Sequence, residues 1–163
     1  MSLVSGEVPI DQKEQIRSFY ADYTATLDDE AFDRWPSFFT DDCVYQVIPG
    51  ENYSQGLSLC TIQADSKGML LDRVQGILKT QKFSPRRCRR FYSALKLTPA
   101  GAGRVTARQN VLMVQTLIDE PSAILLCGVA HDELTTVDGC WRLRRRVVAC
   151  DTEIIQEALI FPV

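Results

Sequence analysis

Hydrophobic residues recur with helical spacing in the first half of the chain and alternate as in strands in the second. Ile16, Phe19, Tyr20, Tyr23 and Leu27 share one helical face and predict a helix over about 11–28. Asp11 and Glu14, following Pro9, read as a capping box at its start. Phe32, Trp35, Phe38 and Phe39 then mark a short aromatic helix, whose Pro36 lies early enough to be tolerated in a first turn. Residues 43–48 form a strand pattern closed by Pro49 and Gly50, and 50–60 are polar and irregular. Leu70, Val74, Ile77 and Leu78 predict a third helix over about 63–80, weakened by Gly68 and Gly76.

Beyond Pro85 the pattern changes to strands, expected at about 89–97, 104–118, 123–137 and 140–150. Gly101 and Gly103, then Pro121, then Asp138 and Gly139 supply the turns between them. Long strands with short connections imply a curved antiparallel meander. The last strand alternates, with Trp141, Leu143, Arg145 and Val147 on one face and Arg142, Arg144, Arg146 and Val148 on the other. Helices followed by a sheet of four or five strands describe an α+β fold, expected as a single domain over 1–163. A curved sheet wrapped around three helices makes a cone with an internal pocket.

Composition narrows the chemistry. The 163 residues are 45% hydrophobic and 24% charged, with a net charge of −3, which gives no global positive field for nucleic acid. The longest apolar runs fall far short of the roughly 20 residues of a membrane span. Residues 1–6 lack the basic and apolar regions of a secretory signal, so a cytoplasmic location is expected. The six cysteines are scattered, with no CxxC, and read as reduced structural thiols. His131 is the only histidine. A Rieske cluster needs two, a non-haem iron triad needs two, and catalytic zinc usually takes two or three. Any metal used in this protein's chemistry therefore sits on another polypeptide.

Several side-chain groups invite a functional reading. Arg86, Arg87, Arg89 and Arg90 form a basic cluster, best read as an exposed face pairing with carboxylates within or between subunits. Arg142, Arg144 and Arg146 need counter-charges and are candidate subunit contacts. Asp28, Asp29 and Glu30 are expected to cap the second helix, and Asp41 and Asp42 to stabilise a turn. Tyr20, Tyr23, Trp35 and Tyr45 either line a pocket in the cone or fill its core. Asp22 and Asp72 are candidate bases for such a pocket, though their spacing selects neither. His131 and Asp132, adjacent on a strand, point to opposite faces and make no dyad. The segment 154–163 is apolar enough to require cover, against the sheet or across a subunit boundary.

Trp35-x-x-Phe38-Phe39-x-Asp41-Asp42-x-x-Tyr45-x-Val47 resembles the helix-to-strand segment of the small (β) subunits of aromatic-ring-hydroxylating dioxygenases. Pro49-x-Glu51-Asn52-x-x-x-Gly56-Leu57 resembles the polar loop of that family, and Asp72-Arg73-Val74 its third helix. Gly128-x-x-x-Asp132, Leu143-Arg144-x-Arg146-x-x-x-x-Asp151 and the final Leu159-Ile160-Phe161-Pro162-Val163 resemble its last hairpin and apolar tail. Where many relatives carry Arg-His, this chain has Arg90-Phe91. The short segment before the first helix looks like the branch acting on benzoate-, salicylate- or terephthalate-type acids.

The resemblance implies an NTF2-like cone with no catalytic, cofactor-binding or metal-binding residue of its own. It implies a homotrimer beneath three large (α) subunits in an α3β3 assembly. The Rieske 2Fe–2S cluster and mononuclear Fe(II) would lie on the large subunit, fed with electrons from NAD(P)H. Arg142, Arg144, Arg146, Phe161, Pro162 and Val163 are then the candidate interface residues. The alternatives are a stand-alone NTF2-like isomerase, dehydratase or hydrolase, or a small-ligand binding module using the same cone.

Overall fold

Strand alternation in the second half produces four long antiparallel strands, β3 (Arg86–Gly101), β4 (Arg104–Leu117), β5 (Ala123–Val137) and β6 (Cys140–Cys150). The computed structural model describes residues 6–80, 82–155 and 158–163. Most of the N-terminal stretch read for a secretory signal, residues 1–5, lies outside them, as do residues 156 and 157 of the apolar tail. The first half supplies α1 (Ile10–Asp28), a 3-10 helix (Phe32–Phe38), β1 (Phe39–Pro49), α2 (Gly50–Ser54), β2 (Ile62–Ala64) and α3 (Lys67–Gln75). The sheet order is β2-β1-β6-β5-β4-β3.

The sheet is mixed rather than a pure antiparallel meander. β1 lies parallel to β6, with Val44 opposite Arg145 and Val47 opposite Val148. Parallel neighbours need a long crossover, and here everything from α2 to β5 lies between them.

Local chemistry moves several boundaries. α1 begins at Ile10 with Pro9 as N-cap and no side-chain cap, so Asp11 sits in the first turn and closes no capping box. Residues 62–64 pair with β1 as β2, and α3 starts only after Ser66, whose Oγ accepts from the Met69 N–H at 3.3 Å. A wider π-turn over Gly76–Thr80 follows α3; Ile77 stays buried while Leu78 faces solvent. The 3-10 helix is capped by no side chain, and Asp28 and Glu30 pair instead with Arg90 and Arg87 of β3.

β6 contains the change with most consequence for the site. Leu143 pairs with Leu134 and Arg145 with Glu133, which leaves Arg144 as an extra residue. This bulge reverses the alternation. Trp141 and Leu143 face the helices before it; Arg146, Val148 and Cys150 do so after it. The core thus lies between α1, the 3-10 helix, α3 and the concave face of the sheet. Ile48, Val147 and Ala149 make a smaller cluster against Cys60.

Candidate functional site

The interior of the cone holds a polar cluster inside an aromatic shell. Asp132 of β5 accepts two hydrogen bonds at one oxygen, Oδ2: from the Tyr20 hydroxyl and from Arg146 Nη1, each 2.7 Å. The Arg146 side chain is wholly buried and its guanidinium carbon lies 4.8 Å from the Tyr23 ring centre and 5.2 Å from that of Tyr92. Burial pushes the Asp132 carboxyl up, opposed by the attraction of Arg146 and by the Tyr20 hydrogen bond. Burial likewise raises Tyr20, Tyr23, Tyr45 and Tyr92, so these hydroxyls stay protonated at neutral pH.

The chain's own final residues fill the space beside this cluster. The Tyr23 hydroxyl donates to the Val163 oxygen at 2.9 Å and accepts from Trp35 Nε1 at 3.1 Å. Arg146 Nε also donates to the Val163 oxygen at 3.2 Å, while the Val163 N–H donates to the Tyr45 hydroxyl at 2.9 Å. Arg90 donates to the Pro162 carbonyl at 2.9 and 2.6 Å and pairs with Asp28 at 2.7 Å. Arg73 Nη2 reaches the carbonyls of Leu159 and Ile160. Phe161 packs on Phe32 and Phe83, with ring centres 4.7 and 5.4 Å away. Three arginines thereby satisfy backbone carbonyls that would otherwise be buried without donors. A groove of about 690 Å³ opens between α1 and β3, and its lining reaches Tyr20, Tyr92 and Gln109 without including Asp132.

Four of the six residues expected at a subunit interface are buried within the chain itself. Arg146, Phe161, Pro162 and Val163 are interior groups of one chain. Arg142 and Arg144 remain at the surface, Arg144 in contact with Glu133 at 3.0 Å and Asp42 at 3.6 Å. Of the basic cluster, Arg87 and Arg89 are exposed and face Glu30 and Asp28, whereas Arg90 is buried. Asp22 and Asp72 are both exposed, and neither is brought to the interior. Asp41 and Asp42 lie in β1 rather than a turn, facing Lys67 and Arg144. Tyr20, Tyr23, Trp35 and Tyr45 are core residues. Sequence reasoning missed Arg73 and the Tyr20–Asp132–Arg146 group; a single inward charge on each of two neighbouring strands was the available signal, and the bulge concealed it.

The donor set does not fit a Rieske cluster or a mononuclear iron. His131 stands on the outer face, stacked on Tyr53 of α2 at 4.9 Å and 20°, and burial, then nearby Arg108, lowers its pKa from 6.5. Cys43, Cys88 and Cys150 are buried, Cys127 and Cys140 exposed, and all six thiols are free. Among the described residues, no three His, Cys, Asp or Glu side chains come together to hold a metal. No helix among them is long and apolar enough to cross a membrane.

A six-stranded sheet curved over three helices, with its concave face packed by aromatic rings, defines an α+β cone of the NTF2-like class. The sequence model described as "ring hydroxylating beta subunit" matches residues 24–157, and the chain belongs to that family. It is similar to the beta 1 subunit of the terminal oxygenase component of terephthalate 1,2-dioxygenase from a Comamonas species. The two are 29% identical over 91% of this chain and 96% of that protein. It is also similar to the small subunit of anthranilate 1,2-dioxygenase from Burkholderia cepacia, at 28% identity over 86% of this chain and 88% of that one. Among solved structures, a Novosphingobium aromaticivorans protein assigned as the beta subunit of an aromatic-ring-hydroxylating dioxygenase superposes with a TM-score of 0.84. It is 33% identical and the match covers 95% of this chain and all of that one.

Proposed function

We propose that this chain is an architectural subunit, with no active site of its own, that supports an iron-bearing large subunit in an α3β3 oxygenase in the cytoplasm. The large subunit would carry the Rieske cluster and the mononuclear iron, and would insert oxygen from O2 into an aromatic ring. The observation that carries the reading is the filled interior. In a stand-alone cone enzyme the space beside Asp132 would receive a substrate; here Val163 lies against Tyr23, Tyr45 and Arg146. The exposed outer sheet face, with Phe91 more than half exposed, supports a role in assembly. The relatives named for terephthalate and anthranilate make aromatic carboxylates the first substrates to test on the assembled complex.

The test is purification of the tagged full-length chain from its native host, with iron analysis and native mass spectrometry. The expected product is a brown complex of two kinds of subunit in equal number, with iron confined to the larger. A colourless homo-oligomer that turns over a small substrate would overturn the proposal. Arg142 and Arg144 are the remaining interface candidates of β6. Arg144→Glu is expected to weaken the complex, and an unchanged mass and melting temperature would remove Arg144 from the interface.

A further inference from the structure

The outer face of the sheet carries a cationic hollow that the fold leaves uncompensated. Register places Lys96 of β3 directly opposite Arg108 of β4, and Arg108 opposite His131 of β5. The neighbouring row runs Thr98, Thr106, Glu133 and Arg145 across β3 to β6. With Tyr53 stacked on His131, these residues enclose a hollow of about 390 Å³. Like charges directly across a strand pair repel, so a carboxylate brought to this exposed face from another surface would relieve the arrangement. Glu133 is the carboxylate on the rim, and it is already engaged by Arg104 at 3.2 Å and Arg144 at 3.0 Å. Among the described residues, Lys96, Arg108 and Arg145 form no ion pair with any carboxylate.

The complementary feature lies at the opposite end of β4. The turn into β5 projects Asp119 and Glu120, exposed and in no ion pair among the described residues, with Asp119 at φ 62°. Ile118, Ile124 and Ile154 surround them, each about two-thirds or more exposed. Glu120 and Ile124 line one hollow with Thr152 and Ile154, so acid and apolar surface adjoin at this turn. Arg108 stands nine residues before the end of β4, roughly 30 Å at strand rise, so it and Glu120 cannot meet within one molecule.

We propose that the acidic, isoleucine-rimmed turn of one copy seats in the Lys96–Arg108–Arg145 hollow of the next. The hollow and the turn are different surfaces, so the contact is heterologous, and it closes a ring when the rotation per copy divides the circle. This inference rests on the homotrimer in the proposed function and names the surfaces that would build it. The hollow is occupied by a second copy of this chain rather than by the large subunit, because the matching charge and apolar rim are both on this chain.

The experiment measures the mass of the isolated full-length chain by native mass spectrometry and by sedimentation over a dilution series. Wild type is expected to be trimeric, with dissociation promoted by salt. Lys96→Glu with Arg108→Glu, and separately Asp119→Lys with Glu120→Lys, are each expected to raise the dissociation midpoint at least about ten-fold. All four changes in one chain should restore the trimer, an outcome that misfolding could not produce. A monomeric wild type, or reversed variants that remain trimeric, or failure of the four-fold variant to recover, would each overturn the inference. Capture of the iron-bearing subunit is a separate readout, so a failed contact between copies leaves the architectural reading standing and a failed capture does not mimic it.

Discussion

Arg146 and Asp132 are a fully buried ion pair at 2.7 Å, each the other's counter-charge. Removing the guanidinium leaves a carboxylate in an apolar interior, and Arg146→Met is expected to cost about 3–5 kcal/mol in urea denaturation. The double change Arg146→Met with Asp132→Leu should recover much of that loss, because both desolvation costs vanish together. If the double variant were no more stable than the single, the pair would have another role. His131 gives a pH-dependent readout free of overlap, since no other histidine is present. Its folded pKa lies below the ordinary imidazole value of 6.5, through burial first and Arg108 second. The unfolded chain therefore takes up the proton first as pH falls. Stability present above about pH 6.5 should be lost from there downward until the folded pKa is passed. A ring-proton titration should give a midpoint under 6.5, and His131→Asn should flatten the stability slope in that window. At this scale the sequence was legible where periodicity held: Tyr20, Tyr23, Trp35 and Tyr45 went inward, and His131 and Asp132 went to opposite faces. It misled at Arg146 because a two-residue repeat counted across an unannounced bulge inverts every position after it.

At the level of elements, the close approach of β5 and β6 depends on a missing side chain. A Cβ at Gly128 would stand 2.2 Å from the Ala149 carbonyl oxygen and 2.9 Å from the Cys150 Cα, both backbone atoms. Gly128→Ala should cost about 3 kcal/mol or more, read as a lower midpoint in thermal unfolding, since the two strands must separate to admit it. A melting temperature within a degree of wild type would show that the sheet yields there. Helix α1 was legible nearly to the residue, because one apolar face and a proline at its start are both local signals. The pairing of β1 with β6 was not. Apolar alternation marks a strand without giving its direction or partner, and Val44 and Arg145 meet across most of the chain.

For the whole molecule, the interior is completed by residues that follow the last strand. Phe161 is 3% exposed against Phe32 and Phe83, so Phe161→Ala should cost about 3–5 kcal/mol in urea denaturation, with loss of the large subunit only as a consequence. A change under about 1 kcal/mol would mean that the tail is an ornament of the cone rather than part of its core. An interior filled this way also dictates when the protein can become itself. Tyr23 and Val163 are bonded although 140 positions separate them, and Tyr20 reaches Asp132 across 112. On the ribosome, α1 emerges with its aromatic stripe uncovered and waits roughly ten seconds for its last contacts to be synthesised. During that interval the nascent chain resembles an unprotected amphipathic helix, so the demand for chaperones falls on α1 and is set by how late Phe161, Pro162 and Val163 arrive.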